Sequence, residues 1–347
     1  MSTTVRDLDV ALGSDDFSQP DLLRVAEAAD ALGIRHLWLT ESKGRDAFVL
    51  LTQVAQRTHR IGLGTGIVNV FSRTPTALAQ AAATLLESIP GRVVNLGLGT
   101  SGKALVERFH GVPFERPVSR LSEAVTVIDR AVGGDSLPTG GSVFSMSPVE
   151  LNLHARRSAL RIFVAGTGDA TLRLAGAQAD GWLPIWPSLR SGGEMLAIVN
   201  TAAVAANRPK PLVAAYIYGV VGSDATLADQ VRASLAFYVA ANGTAYRKLF
   251  LRYGYAAEVK RICAFWTRGD RVRARNSVTD EMLNDCALIG EPDSFLAGVG
   301  RFINVGVTWP VLRFPRQLSA DQCIHMLEAI SGASAPACRH DIAGRTE

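Results

Sequence analysis

The chain has 347 residues, 48% of them hydrophobic, and a formal net charge of +4. That apolar content excludes a disordered chain, no apolar run approaches a bilayer span, and the mild basic balance lacks the clustered Lys/Arg with interleaved aromatics of a nucleic-acid surface. The polar opening Met1–Asp9 is unlike an export signal, so a cytoplasmic location is expected, and Cys263, Cys286, Cys323 and Cys338, with no CxxC spacing, read as reduced thiols rather than metal ligands or disulfides.

Strand and helix patterns alternate from the start. LDVALG (8–13) reads as a strand, PDLLRVAEAADALG (20–33) as an amphipathic helix, RHLWLT (35–40) as a strand and DAFVLLTQVAQRTH (46–59) as a helix. RIGLGTGIVNV (60–70) is a strand with glycines at 62, 64 and 66, which mark a bulge, a bend or a close approach to the backbone. A helix follows over 74–89 with Pro75 in its first turn, then a strand over 92–99. The later pattern is helix 121–132, strand 160–166, helix 169–179, strand 181–186, helix 194–207, strand 211–222, helix 293–306 and strand 307–314.

Eight short, continuously apolar strands alternating with helices predict an α/β fold of the TIM (β/α)8 barrel type, with both faces of a parallel sheet covered. Residues 133–158 carry turn and strand signals, and 240–288 are helical and then basic and irregular; both read as insertions in a single barrel domain over 1–335, with 336–347 as a flexible tail. Arg268–Arg275 concentrates the positive charge and is expected as a solvated loop.

Chemistry in such a barrel collects where strands end and βα loops begin. The glycine-rich starts of these loops suggest a ligand gripped by backbone amides. AGTGDATLRLAG (165–176) and GLGTSGKA (97–104) are each compatible with a phosphate site at a helix start, or with a plain turn. Glu41, at the mouth of the second strand, is either a proton donor or acceptor beside a ligand or a cap for the next helix. Trp186, at the end of the sixth strand, is a candidate pocket wall. No hydrolytic triad and no metal-ligand spacing stands out.

Taken together, LRVAEAADALGIRHLWLTES, RIGLGTGIVNVFSRTPTALAQAAATLLESIPGRVVNLGLGTSG, FHGVPFERP, FVAGTGDATLRLAGAQADGW and ALIGEPDSF resemble the luciferase-like superfamily of flavin- and deazaflavin-dependent enzymes. The likeness runs in order from about residue 8 to 330. GTGIVNVFSRTP is most similar to the branch that uses the deazaflavin coenzyme F420, typified by methylenetetrahydromethanopterin reductase. The resemblance implies an insertion-bearing TIM barrel with a non-prolyl cis peptide at Gly66–Ile67. It implies a homodimer acting on a small molecule, and no nucleic-acid, membrane or metal partner.

By position, the resemblance puts Thr65, Gly66, Ile67 and Asn69 against the cofactor ring. Thr100, Ser101 and Gly102 would contact the cofactor from the fourth loop, and Gly166, Thr167 and Gly168 would meet its phosphate. Glu41 and Ser42 would be the acid or base and the hydrogen-bond donor, and Ser14, Lys103 and Trp186 would line the substrate pocket. Two positions depart from the family pattern. Ser42 stands where many relatives carry His, and Lys103 stands where sugar-phosphate dehydrogenases carry Glu, which argues against glucose-6-phosphate oxidation. The expected activity is hydride transfer between F420 and a small organic substrate. The alternatives are an FMN-dependent monooxygenase served by a separate reductase, and a non-catalytic flavin-binding relative.

Overall fold

A computed structural model of the chain describes residues 3–137, 140–147, 152 and 155–333. Its strands are β1 (Asp9–Gly13), β2 (His36–Thr40), β3 (Gly62–Asn69), β4 (Val94–Gly99), β5 (Leu160–Val164), β6 (Gly181–Trp182), β7 (Leu212–Val221), β8 (Ala287–Gly290) and β9 (Trp309–Arg313). All pairings are parallel. β1 to β7 follow one another around the sheet, and β9 sits between β7 and β1, so eight strands close into a barrel with helices outside. The predicted TIM barrel is therefore the fold.

β8 is the strand that the pattern of eight does not contain. It pairs with Tyr218–Val221, the part of β7 that begins at the last residue β9 reaches. β7 is ten residues long against five in β9, and its outer half needs a ladder partner. β6, by contrast, is only two residues rather than 181–186. Pro184 has no N–H to donate, so the ladder thins to single contacts such as Tyr216 N to Pro184 O (2.8 Å).

Helix starts are set by local chemistry. Thr74 caps Pro75–Glu87 through the N–H of Ala77, and Asp46 caps Ala47–Arg57 through those of Phe48 and Val49. Helices Ala225–Ala241 and Ala320–Ala333 add to the outer ring. The 240–288 insertion is helical throughout (Thr244–Arg252, Ala256–Thr267, Arg271–Asn276 and Asp280–Cys286) before it ends in β8. The basic run is thus partly helix rather than loop: Asp270 accepts from the N–H of Arg273, and Arg271 lies over the Trp266 ring. In 133–158 the described residues form no strand; the Glu123 carboxylate gathers the N–H groups of Ser142, Val143 and Phe144 instead. The expected tail at 336–347 lies outside the described residues. Among the described residues no helix is long and apolar enough to cross a membrane.

The barrel interior is filled by Trp38, Phe163, Tyr216, Leu183 and Val311, with Trp309 at one side. This filling explains the β3 glycines. A Cβ at Gly64 would lie 2.9 Å from Trp38 and 2.8 Å from the Asn95 carbonyl, and one at Gly66 would lie 1.6 Å from Tyr216 Oη. Alternate residues of β3 therefore carry no side chain because β2, β4 and, across the barrel, β7 fill the space.

Candidate active site

The site is built outward from β3. Its pairing with β4 runs through Thr65↔Leu96, breaks, and resumes at Val68↔Leu98, so Gly66 and Ile67 face only Gly97. This is a β-bulge, and its Gly66–Ile67 peptide is cis. The Ile67 carbonyl accepts from the N–H of Glu41 (3.3 Å), which ties the bulge to the end of β2. Ile67, Ala165 and Ile185, all partly exposed, pack on the aromatic filling of the barrel. Together they make an apolar floor at the C-terminal mouth.

Two residues assigned to the cofactor ring by resemblance are engaged elsewhere. Thr65 is fully buried and its hydroxyl donates to the Gly97 carbonyl (2.9 Å). Asn69 is also buried: its Oδ1 accepts from the N–H groups of Phe71 and Ser72, and its Nδ2 meets His110 Nε2 at 3.1 Å. Both shape the loop; Gly66 and Ile67, in the bulge itself, are partly exposed.

Glu41 resolves toward the capping alternative. Its carboxylate takes Arg73 in a two-pronged pair (2.7 and 2.8 Å) and accepts the N–H of Ala47 at the start of the following helix (2.9 Å). Arg73 also bonds Asp46, the cap of that helix. These hydrogen bonds hold the Arg73 guanidinium above its ordinary range. With both oxygens engaged and the side chain 9% exposed, Glu41 is an anchor and the proton-transfer role is set aside. Ser42 beside it is exposed.

On the far side of the floor, Thr100, Ser101 and Gly102 lead into helix Lys103–Arg108, with Ser101 in the left-handed region at φ 56°. Gly166, Thr167 and Gly168 lead into helix Asp169–Gln178, whose first turn has no side-chain cap. Arg252, from the insertion, pairs with Asp169 at that helix start (2.9 Å) and has no local sequence signal, being 83 residues away.

The expected substrate pocket needs correction. Trp186 is fully buried, stacked on Tyr218 at 4.3 Å with planes 4° apart, and forms core rather than pocket wall. Ser14 is fully buried too, under the loop that carries Gly44. Lys103 alone of the three is exposed, 3.7 Å from Glu107. Sequence reading also missed the buried pair Arg313–Asp16 (2.6 Å), which staples the end of β9 to the loop after β1.

This geometry has known counterparts. The model of the luciferase-like monooxygenase family matches residues 3–308. The chain belongs to that family. It is therefore a member of an oxidoreductase family, and its relatives cover it nearly end to end. A Mycobacterium tuberculosis protein provisionally named a coenzyme F420-dependent oxidoreductase is 28% identical over 312 residues, 83% of this chain and 88% of that protein. The 5,10-methylenetetrahydromethanopterin reductase of Archaeoglobus fulgidus is 26% identical, over 86% of this chain and 91% of that protein. Among solved structures, the coenzyme F420-dependent tetrahydromethanopterin reductase of Methanopyrus kandleri superposes with a TM-score of 0.81 at 21% identity, covering 96% of this chain and all of that one.

Proposed function

We propose that this luciferase-like protein is a coenzyme F420-dependent oxidoreductase that moves a hydride between the deazaflavin and a small organic substrate. The observation that carries the reading is the β3 bulge, which lifts Ile67 onto an apolar floor with Ala165 and Ile185 between two glycine-rich loops. A flat, largely apolar ring fits such a surface. Full-length similarity to relatives whose names specify F420, or a reductase of methylenetetrahydromethanopterin, favours the deazaflavin over FMN.

When bound, the deazaflavin supplies the hydride chemistry; the chain's part is to bind, orient and exclude water. Gly66, Ile67 and Ala165 would back the ring, and Thr100, Ser101 and Gly102 would meet it from the loop after β4. Gly166, Thr167 and Gly168 would hold the cofactor phosphate through backbone N–H groups at the uncapped start of helix Asp169–Gln178, where Arg252 neutralises Asp169. The exposed Ser42 hydroxyl would donate a hydrogen bond to substrate, while Glu41 keeps the adjoining loop in place through Arg73.

Calorimetric titration of the purified protein with F420 and with FMN tests the reading. F420 should bind and FMN should not. Tight FMN binding with oxygen consumption and no affinity for F420 would replace it with the monooxygenase chemistry that names the family. F420 binding with no turnover of any alcohol, aldehyde or imine tried would instead favour a cofactor-binding relative.

A further inference from the structure

The opposite, N-terminal mouth of the barrel carries chemistry that the proposed reaction leaves unused. A cavity of about 550 Å³ opens there, and Arg6, Arg35, His36, Arg60, Arg92 and Arg161 stand in its wall. The arginines come from successive units of the fold. Arg6 precedes β1, Arg35 precedes β2, Arg60 precedes β3, Arg92 precedes β4, and Arg161 lies at the start of β5. Closing the barrel brings these strand starts to one rim.

Among the described residues no carboxylate lines that wall. The nearby Asp9 and Asp30 carboxylates are engaged. Asp9 is held by His36 Nδ1 (2.9 Å) and Trp38 Nε1 (3.1 Å), with Arg35 Nε at 3.5 Å. Asp30 accepts the N–H groups of His59, Arg60 and Ile61 at 2.7–2.9 Å.

Several of the guanidiniums are fixed in place. Arg92 donates to Thr58 Oγ1 and to the carbonyls of Ile61 and Ala55, Arg60 to those of Asp30 and Ala31, and Arg35 to that of Asp7. Each guanidinium has five N–H donors, so these bonds orient the groups without exhausting them. Arg35 Nε is buried and makes no hydrogen bond, its ion-pair partner Asp9 Oδ1 standing 3.5 Å away. His36, 93% buried by its 7% exposure, makes no hydrogen bond through Nε2 among the described residues. Arg6 and Arg161 donate no side-chain hydrogen bond there either; Arg161 lies over the Trp309 ring at 5.3 Å. Burial meanwhile lowers the Arg92 guanidinium from its ordinary value, and the nearby Asp30 carboxylate offsets this only in part.

We propose that this cavity binds a small polyanion carrying at least two phosphate groups. Oriented guanidinium forks with spare donors are the arrangement that recognises phosphate. One phosphate has three terminal oxygens and can take one or two forks, so five guanidiniums call for more than one phosphate. A ligand here would join the starts of β2, β3, β4 and β5, and its binding does not depend on which cofactor occupies the other mouth.

The test is calorimetric and thermal titration of the full-length protein with inorganic pyrophosphate, inorganic phosphate, ADP and sulfate at constant ionic strength. Pyrophosphate should bind saturably with a rise in Tm, and at least about tenfold more tightly than phosphate or sulfate. ADP tighter than pyrophosphate would place a nucleotide there, and equal affinity a bare diphosphate group; either supports the site. The double variant Arg6→Gln/Arg161→Gln removes two side chains without protein hydrogen bonds, so it should fold normally and bind pyrophosphate at least about tenfold more weakly. Arg252→Gln, at the other mouth, should leave that affinity unchanged. Binding no tighter than sulfate, an unaffected double variant, or a loss confined to Arg252→Gln would overturn the proposal.

Discussion

β1 to β5 each begin beside an arginine, whereas β4 and β5 end among glycines. At the C-terminal mouth three arginines are paired with carboxylates: Arg73 with Glu41 and Asp46, Arg313 with Asp16, Arg252 with Asp169. The floor that remains is apolar, made by Ile67, Ala165 and Ile185. At the N-terminal mouth, Arg6 and Arg161 meet no carboxylate and Arg35 shares one with a histidine and an indole. The same side chain is thus scaffold at one end, where its charge is cancelled to position loops, and exposed donor at the other. A TIM barrel places chemistry at its C-terminal face and stability at its N-terminal one; a rim of partly unpaired guanidiniums departs from the second half of that division.

The sharpest way to break this picture is at the bulge. Gly66→Ala puts a methyl group 1.6 Å from Tyr216 Oη, and Tyr216 is locked among Trp38 and the other aromatics of the barrel interior. Stability should fall by about 3 kcal/mol, with cofactor binding lost as the floor deforms. Urea denaturation and F420 titration of the same sample measure both. An unchanged midpoint would mean that Tyr216 yields easily and that the glycine serves only the ligand.

Arg73→Ala should follow in size. It strips the Glu41 carboxylate, 9% exposed, of its counter-ion, and should cost about 2–3 kcal/mol. Its catalytic effect should appear as weaker substrate binding through a misplaced Ser42 loop. A pH–rate profile that gained or lost a limb in this variant would restore Glu41 as a proton carrier.

Much of this is legible in the sequence, for physical reasons that differ by region. Parallel strands covered on both faces read as apolar runs, so all eight barrel strands stood out; β8, four residues between two helices, did not, because its cause is the excess length of β7. The glycines of β3 announced close approach but not the partner. Gly64 is empty for Trp38 and Asn95, and Gly66 for Tyr216, side chains from other strands. Family position places Asn69 at a ligand and a strand-end position places Trp186 there, yet each is claimed by a long-range neighbour, His110 and Tyr218. The arginine rim was written in the sequence as one arginine near the start of each of five successive strands. It acquires meaning only once closure puts those starts around a single opening.

The smallest effect expected tests whether the N-terminal rim can be loosened without touching the other mouth. Burial alone would push the Asp30 carboxyl up, but the N–H groups of His59, Ile61 and Arg60 outweigh it and hold the group below its ordinary value. A carboxyl depressed on folding contributes stability above its unfolded pKa of about 3.9, and that contribution disappears as pH falls through the lower folded value. Asp30→Asn sets an amide NH₂ against backbone donors and should cost about 1–2 kcal/mol at pH 7. The gap between the urea midpoints of variant and native protein should then narrow as pH drops below about 4. Because Asp30 fixes the His59–Ile61 backbone and its own carbonyl holds the Arg60 guanidinium, pyrophosphate affinity should fall with it, while F420 affinity stays level. A pH-independent gap would show that the three N–H bonds do not set the carboxyl's ionisation. A drop in F420 affinity of the same size would mean that the two mouths are energetically coupled rather than independent.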